Sequence, residues 1–85
     1  MKDLVELVVK ALVDRPELVV VATIEGQQSI VFEVRVDAED MGKVIGKGGR
    51  TANALRAVVK AAGAHLEKSI WVDVDRLPDQ PAFVR

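Results

Sequence analysis

An α+β domain, in the order α-β-β-α-α-β, is what this 85-residue sequence predicts: a three-stranded mixed sheet with three helices on one face. Three observations carry that expectation. Apolar residues recur at helical spacing near the start of the chain and again after residue 50. Two β-branched runs are separated by Glu25-Gly26-Gln27-Gln28, a turn. A glycine-rich break, Gly46-Lys47-Gly48-Gly49, interrupts two helix-like stretches ahead of a last alternating strand. The length allows one domain with a single modest core.

The elements follow in order. Leu4, Leu7, Val8, Ala11 and Leu12 are spaced as the core stripe of a helix from about Asp3 to Asp14. Pro16 ends it, because the residue before a proline is pushed out of the helical region. Leu18 to Ile24 reads as a strand buried on much of its surface. Ile30 to Val36 is a second strand, with Phe32, Val34 and Val36 alternating against Glu33 and Arg35. Asp37 reads as a helix N-cap, with Glu39 and Asp40 in the first turn where carboxylates suit the dipole. That helix, Ala38 to about Ile45, is short and carries Gly42, which costs about 1 kcal/mol relative to alanine. Its presence points to close packing, to close approach of a ligand, or to nothing at all. Beyond the glycine break, Ala52, Leu55, Val59 and Ala62 are the buried stripe of another helix, which Gly63 ends as a C′ residue. Ile70 to Asp75 is the third strand, with Ile70, Val72 and Val74 inward. A strand–helix–helix–strand crossover returns it parallel to the second strand and right-handed. Residues 1–75 make the domain, and 76–85, with Pro78 and Pro81, are expected to be a flexible tail.

Composition narrows function. There is no cysteine, hence no disulfide framework or thiolate metal site, and the single histidine, His65, has no companion ligand nearby. No paired carboxylates or nucleophile–base set stands out, so neither catalysis, a metal nor a cofactor is expected. Asp3, Glu6 and Lys10 break the N-terminal apolar residues, which argues against a signal peptide, and no apolar run is long enough for a membrane span. A cytoplasmic location is the expectation. The formal net charge is −1, yet Met41 to Leu66 holds Lys43, Lys47, Arg50, Arg56 and Lys60 with no acidic residue. Positive charge is therefore concentrated around the glycine break.

The chemistry of Val44-Ile45-Gly46-Lys47-Gly48-Gly49-Arg50-Thr51 is that of a backbone clamp for phosphates. Glycines let another molecule reach the main chain, and free N–H groups at the start of the following helix suit an anion. Two other glycine-loop readings fail on spacing. A P-loop needs four residues between its first glycine and the Gly-Lys pair, but three separate Gly42 from Gly46-Lys47. A dinucleotide fingerprint needs glycine where Thr51 stands.

The stretch Ile45-Gly46-Lys47-Gly48-Gly49-Arg50-Thr51-Ala52 resembles the KH-domain signature, a GXXG loop that joins two short helices and clamps a four-nucleotide backbone. The element order resembles the type II KH arrangement. Size, and Asp40-x-Gly42-Lys43-Val44-Ile45-Gly46 with Gly49-Arg50-Thr51, resemble the small bacterial single-KH-domain proteins of the KhpA (YlqC) family. That resemblance implies single-stranded RNA as the partner, held by Gly46, Lys47, Gly48 and Gly49. It implies that Val44, Ile45 and Ala52 form an apolar floor for bases; the acid-free basic window adds Lys43, Arg50 and Arg56 to the expected RNA-binding residues. The loop around His65 and Lys68 would be the family's variable loop across the groove. Two departures are visible: Gly48 replaces a residue usually polar or basic, and Ala52 a usual isoleucine. The resemblance further implies RNA-chaperone or post-transcriptional regulatory roles linked to cell shape and the envelope. Pairing is implied too, as a homodimer or with a larger multi-domain KH protein (KhpB, or Jag).

Some residues keep two readings. Arg56 and Lys60 either extend the basic track or form a solvated face. His65 reads as an exposed loop residue rather than a base-stacking one. Trp71 falls on the wet face of the third strand, either covered by a cation–π contact from Arg35 or touching a partner. Val5, Val9 and Val13 widen the first helix's apolar arc to roughly twice the ~100° a surface helix needs, through burial or a subunit contact. Besides RNA binding, two classes stay open: an interaction or dimerisation module with a vestigial clamp, and a double-helix DNA reader. The last is disfavoured, since the second helix of the pair opens with only Arg50 and Asn53 as base-reading side chains.

Overall fold

The alternation in Ile30 to Val36 makes its strand the centre of the sheet. In the computed structural model, which describes residues 1–78, β1 (Val20–Glu25), β2 (Ser29–Val36) and β3 (Ser69–Arg76) lie in that order. β1 and β2 are antiparallel, while β2 and β3 run parallel, as the crossover between them requires. Ile30, Phe32, Val34 and Val36 are buried on one face, and across the parallel pair Ile70 and Val72 join them beside Ile30 and Phe32. The helices are α1 (Lys2–Leu12), α2 (Met41–Ile45) and α3 (Arg50–Ala62). The fold is α+β with three helices and a three-stranded mixed sheet, as expected.

β1 differs from expectation. It begins at Val20, since Pro16–Leu18 is a 3₁₀ turn, and only Val21 within it is buried. Thr23 and Glu25 occupy the same sheet face as Val21, yet both are exposed. The helices cover β2 and β3 and reach only one end of this edge strand. β3 outlasts its expected end: Arg76 is still in the strand, and the Leu77 N–H donates to the Val36 carbonyl at 2.8 Å. Residues 79–85 of the expected tail lie outside the described residues.

α1 turns a different face inward. Val5 and Val9 are 0% exposed and Val13 is buried with them, whereas Leu7 is 69% exposed and Ala11 is open. The two stripes are adjacent on one broad apolar arc. The compact valines meet the sheet, and Val8 and Leu12 border a shallow apolar groove of about 230 Å³ shared with Thr51, Ala54 and Val58 of α3.

Asp40 does more than suit a helix dipole. It is 2% exposed, and its carboxylate accepts from the N–H groups of Asp14 and Arg15 at 3.2 and 3.1 Å. The segment leaving α1 is thereby tied to the start of α2. Asp37 does cap its turn, accepting from the Glu39 N–H, although Ala38–Asp40 is 3₁₀ and the α-helix starts only at Met41.

In α3, Ala52, Leu55 and Val59 are buried as expected, while Ala62 is exposed. Gly63 stands at the end of α3 as expected, but space rather than backbone conformation calls for glycine there. Its φ of −98° is open to any residue, but a Cβ there would collide with Ile70 Cδ1 and Met1 Cε. Glu67, with φ 56°, takes the left-handed turn into β3 instead.

Candidate nucleic-acid interface

The loop between α2 and α3 is built by three glycines in positive-φ conformations: Gly46 at 76°, Gly48 at 65° and Gly49 at 80°. Only glycine adopts these at little cost. At Gly46 the need is doubled, because a Cβ would run into Thr51 Oγ1 and its own Cβ. The Gly46 N–H closes α2 on the Gly42 carbonyl at 2.9 Å, and the Gly49 N–H returns to the Gly46 carbonyl at 3.1 Å. Lys47 and Gly48 are left as an exposed tip, and a Cβ built on Gly48 meets nothing within 4 Å. Space above the tip is open to a ligand. α3 begins at Arg50, two residues past Gly48, and the Arg50 N–H is taken by the Lys47 carbonyl, so the turn itself uses the first N–H groups that the sequence left for an anion.

The cations separate into two groups. Among the described residues, Lys47 and Arg50 take part in no ion pair, and both are exposed. Lys43, by contrast, pairs with Asp14 and lies 3.7 Å from Asp40, and the hydrogen bond to Asp14 holds its pKa above the ordinary lysine value. Lys68 turns away from the loop, to Glu25 Oε2 at 2.6 Å and the Gly26 carbonyl at 3.2 Å. That hydrogen bond holds the Glu25 carboxyl below its usual value. Arg56 donates through Nε to the Val72 carbonyl and through a terminal nitrogen to Asn53 Oδ1, both at 3.1 Å. It thus joins α3 to the outer edge of β3.

The apolar floor is smaller than the resemblance implied. Val44 is 0% exposed and Ala52 4%, so both belong to the core and present no surface for a base. Ile45 is half-buried and remains available. Asn53, which sequence reasoning did not assign to the site, shares a helix face with Arg56 and Lys60. The 53-56-60 spacing is the signal that could have found it.

Trp71 is exposed, but Arg35 does not cover it. The register sets Trp71 beside Val31 and Arg35 beside Asp75, and Arg35 pairs with Glu33 on its own strand. The cation near the indole is Lys60, whose Nζ lies 5.9 Å from the ring centroid. His65 is exposed, in the 3₁₀ turn Ala64–Leu66. Among the described residues no three His, Cys, Asp or Glu side chains are grouped to hold a metal, and no helix is long and apolar enough to cross a membrane.

With this loop between two helices above a three-stranded mixed sheet, the family model described as KhpA/KhpB, KH domain, matches residues 2–74. The chain belongs to the KhpA/KhpB KH-domain family. Its relatives include the RNA-binding protein KhpA of Clostridium perfringens, 53% identical over 74 residues that cover 87% of this chain and 99% of that one. The RNA-binding protein KhpA of Aquifex aeolicus is 46% identical over 87% of this chain and 94% of its own. That of Listeria monocytogenes is 43% identical over 87% and 97%. No solved structure matches the chain. Gly46-Lys47-Gly48-Gly49 has the Gly-x-x-Gly spacing and lies between α2 and α3.

Proposed function

We propose that this KH domain binds single-stranded RNA in the cytoplasm, clamping the backbone on the Gly46–Gly49 loop, and acts as an RNA chaperone or post-transcriptional regulator. The observation that carries the reading is the loop itself: a bare, exposed tip at Lys47-Gly48, with two unpaired cations beside the N-terminus of α3. Lys47 and Arg50 draw phosphate toward the tip, and the main chain sets its position. Ile45 supplies apolar surface for a base, and Arg56, fixed on Val72, borders the groove. Lys43 and Lys68 contribute through their ion pairs to the frame rather than to the RNA. The relatives named as RNA-binding proteins support the class of partner. The test is a titration of single-stranded RNA against the unaltered protein and the Lys47→Asp/Gly48→Asp variant; loss of binding with the fold intact is expected.

A second observation supports pairing with another KH chain, as a homodimer or with a larger multi-domain KH protein. Leu7, with the groove between α1 and α3 and Val58 at its rim (49% exposed), forms an apolar surface of the kind protein partners cover. Two linked clamps hold one RNA more tightly than either alone, without any new contact. A link to cell-shape and envelope control belongs to this reading through kinship alone.

A further inference from the structure

We propose that Trp71 is a base-stacking platform beyond the clamp: RNA leaving the Gly46–Gly49 loop continues along α3 and lays a further base on the indole, with Lys60 meeting the adjacent phosphate. The inference rests on the clamp reading and extends the same site.

Four observations lead to it. Trp71 is 58% exposed on the edge strand β3, a large exposure for the chain's one tryptophan. Lys60 stands 5.9 Å from the ring centroid, so a cation already faces the platform. A cation beside an exposed aromatic ring is the pair that single-strand binders use, the ring for any base and the charge for the backbone. A depression of about 290 Å³ opens beside the ring, lined by Lys60, Gly63, Lys68 and Ile70 among others. Finally, a continuous path leads there. Arg50, Asn53, Arg56 and Lys60 follow one another at three- and four-residue steps along α3, about 15 Å from first to last. Arg56 is bonded to the carbonyl of Val72, the residue after Trp71, which ties this path to the strand.

Charge also limits where the RNA can go. Asp73 and Asp75 are the next outward residues of β3, with Glu33 and Arg35 beside them on β2, so three carboxylates there outnumber one cation. The open sheet face past Trp71 therefore repels phosphate and keeps the strand on the α3 side. The rival occupant, a protein, would use the row Ile24, Val31 and Trp71 across that face. That row is a single line of three residues, far short of the surface a stable protein interface buries, which favours RNA.

Because Trp71 is the sole tryptophan, its fluorescence reports the site directly. Titration with oligouridylates of four and ten nucleotides is expected to quench the indole with the longer one only. Trp71→Ala should weaken the ten-nucleotide complex by about 5- to 150-fold, the ordinary worth of one base–aromatic stack, and leave the four-nucleotide complex unchanged. Trp71→Phe should retain most of the affinity. Equal binding of the longer oligonucleotide by Trp71→Ala, with no quenching in the unaltered protein, overturns the platform and leaves the clamp standing. Loss of self-association in Trp71→Ala with unchanged RNA affinity overturns it in favour of a protein contact. No RNA binding by the unaltered protein overturns both.

Discussion

Single residues in this chain often matter through what they touch rather than through local propensity. Asp40 holds two backbone N–H groups of the segment just past the end of α1, at a separation of 25 and 26 residues. Asp40→Ala is expected to lower unfolding free energy by about 2–3 kcal/mol, the worth of hydrogen bonds to a charged acceptor, as read by urea denaturation. The glycines divide in the same manner. Gly63 faces Ile70 and Met1, so Gly63→Ala should destabilise by about 1–3 kcal/mol through overpacking. Gly42 sits in α2 with nothing within 4 Å of an added Cβ, so protein packing does not explain it. Gly42→Ala is expected to stabilise by about 0.4–1 kcal/mol by reducing the freedom of the unfolded chain. Thermal melts of the two variants moving in opposite directions would check both.

At the scale of elements, periodicity revealed which segments are helix and strand, and the β2 alternation gave the core face directly. It did not reveal which stripe of α1 faces the sheet. Leu4, Leu7 and Val8 satisfy the helical period as well as Val5, Val9 and Val13 do, and only the neighbouring element decides between them. The same limit explains β1: a β-branched run looks buried until its edge position and the reach of the helices are known. In the site, the glycines and Lys47 were legible, because spacing alone excludes the competing loops. The ion pairs of Lys43 and Lys68 were not, since Asp14 and Glu25 lie 29 and 43 residues away in the chain. Nor was Lys60 beside Trp71, which joins a helix to the outward face of a strand. The exposed stripe of α1 yields an element-scale expectation. Leu7→Glu should leave the melting temperature nearly unchanged, as Leu7 is 69% exposed, while shifting sedimentation at micromolar concentration toward monomer. A monomeric unaltered protein that also recovers no larger KH chain from extract would remove the pairing reading.

At the scale of the whole molecule, a net charge of −1 coexists with a local basic track, so attraction to RNA is set by distribution rather than by total. A clamp for about four nucleotides neutralises few phosphates, and log affinity should fall against log salt with a slope of roughly −3. The most direct test of the clamp is that titration carried out beside Lys47→Asp/Gly48→Asp. Both positions are exposed and Gly48 has open space around it, but its φ of 65° strains any side chain by about 1–2 kcal/mol, so the variant should melt several degrees below the unaltered protein and still fold. Two carboxylates at the tip should nevertheless repel phosphate and abolish binding. Undiminished affinity in a folded variant, or a slope near zero in the unaltered protein, would contradict the clamp.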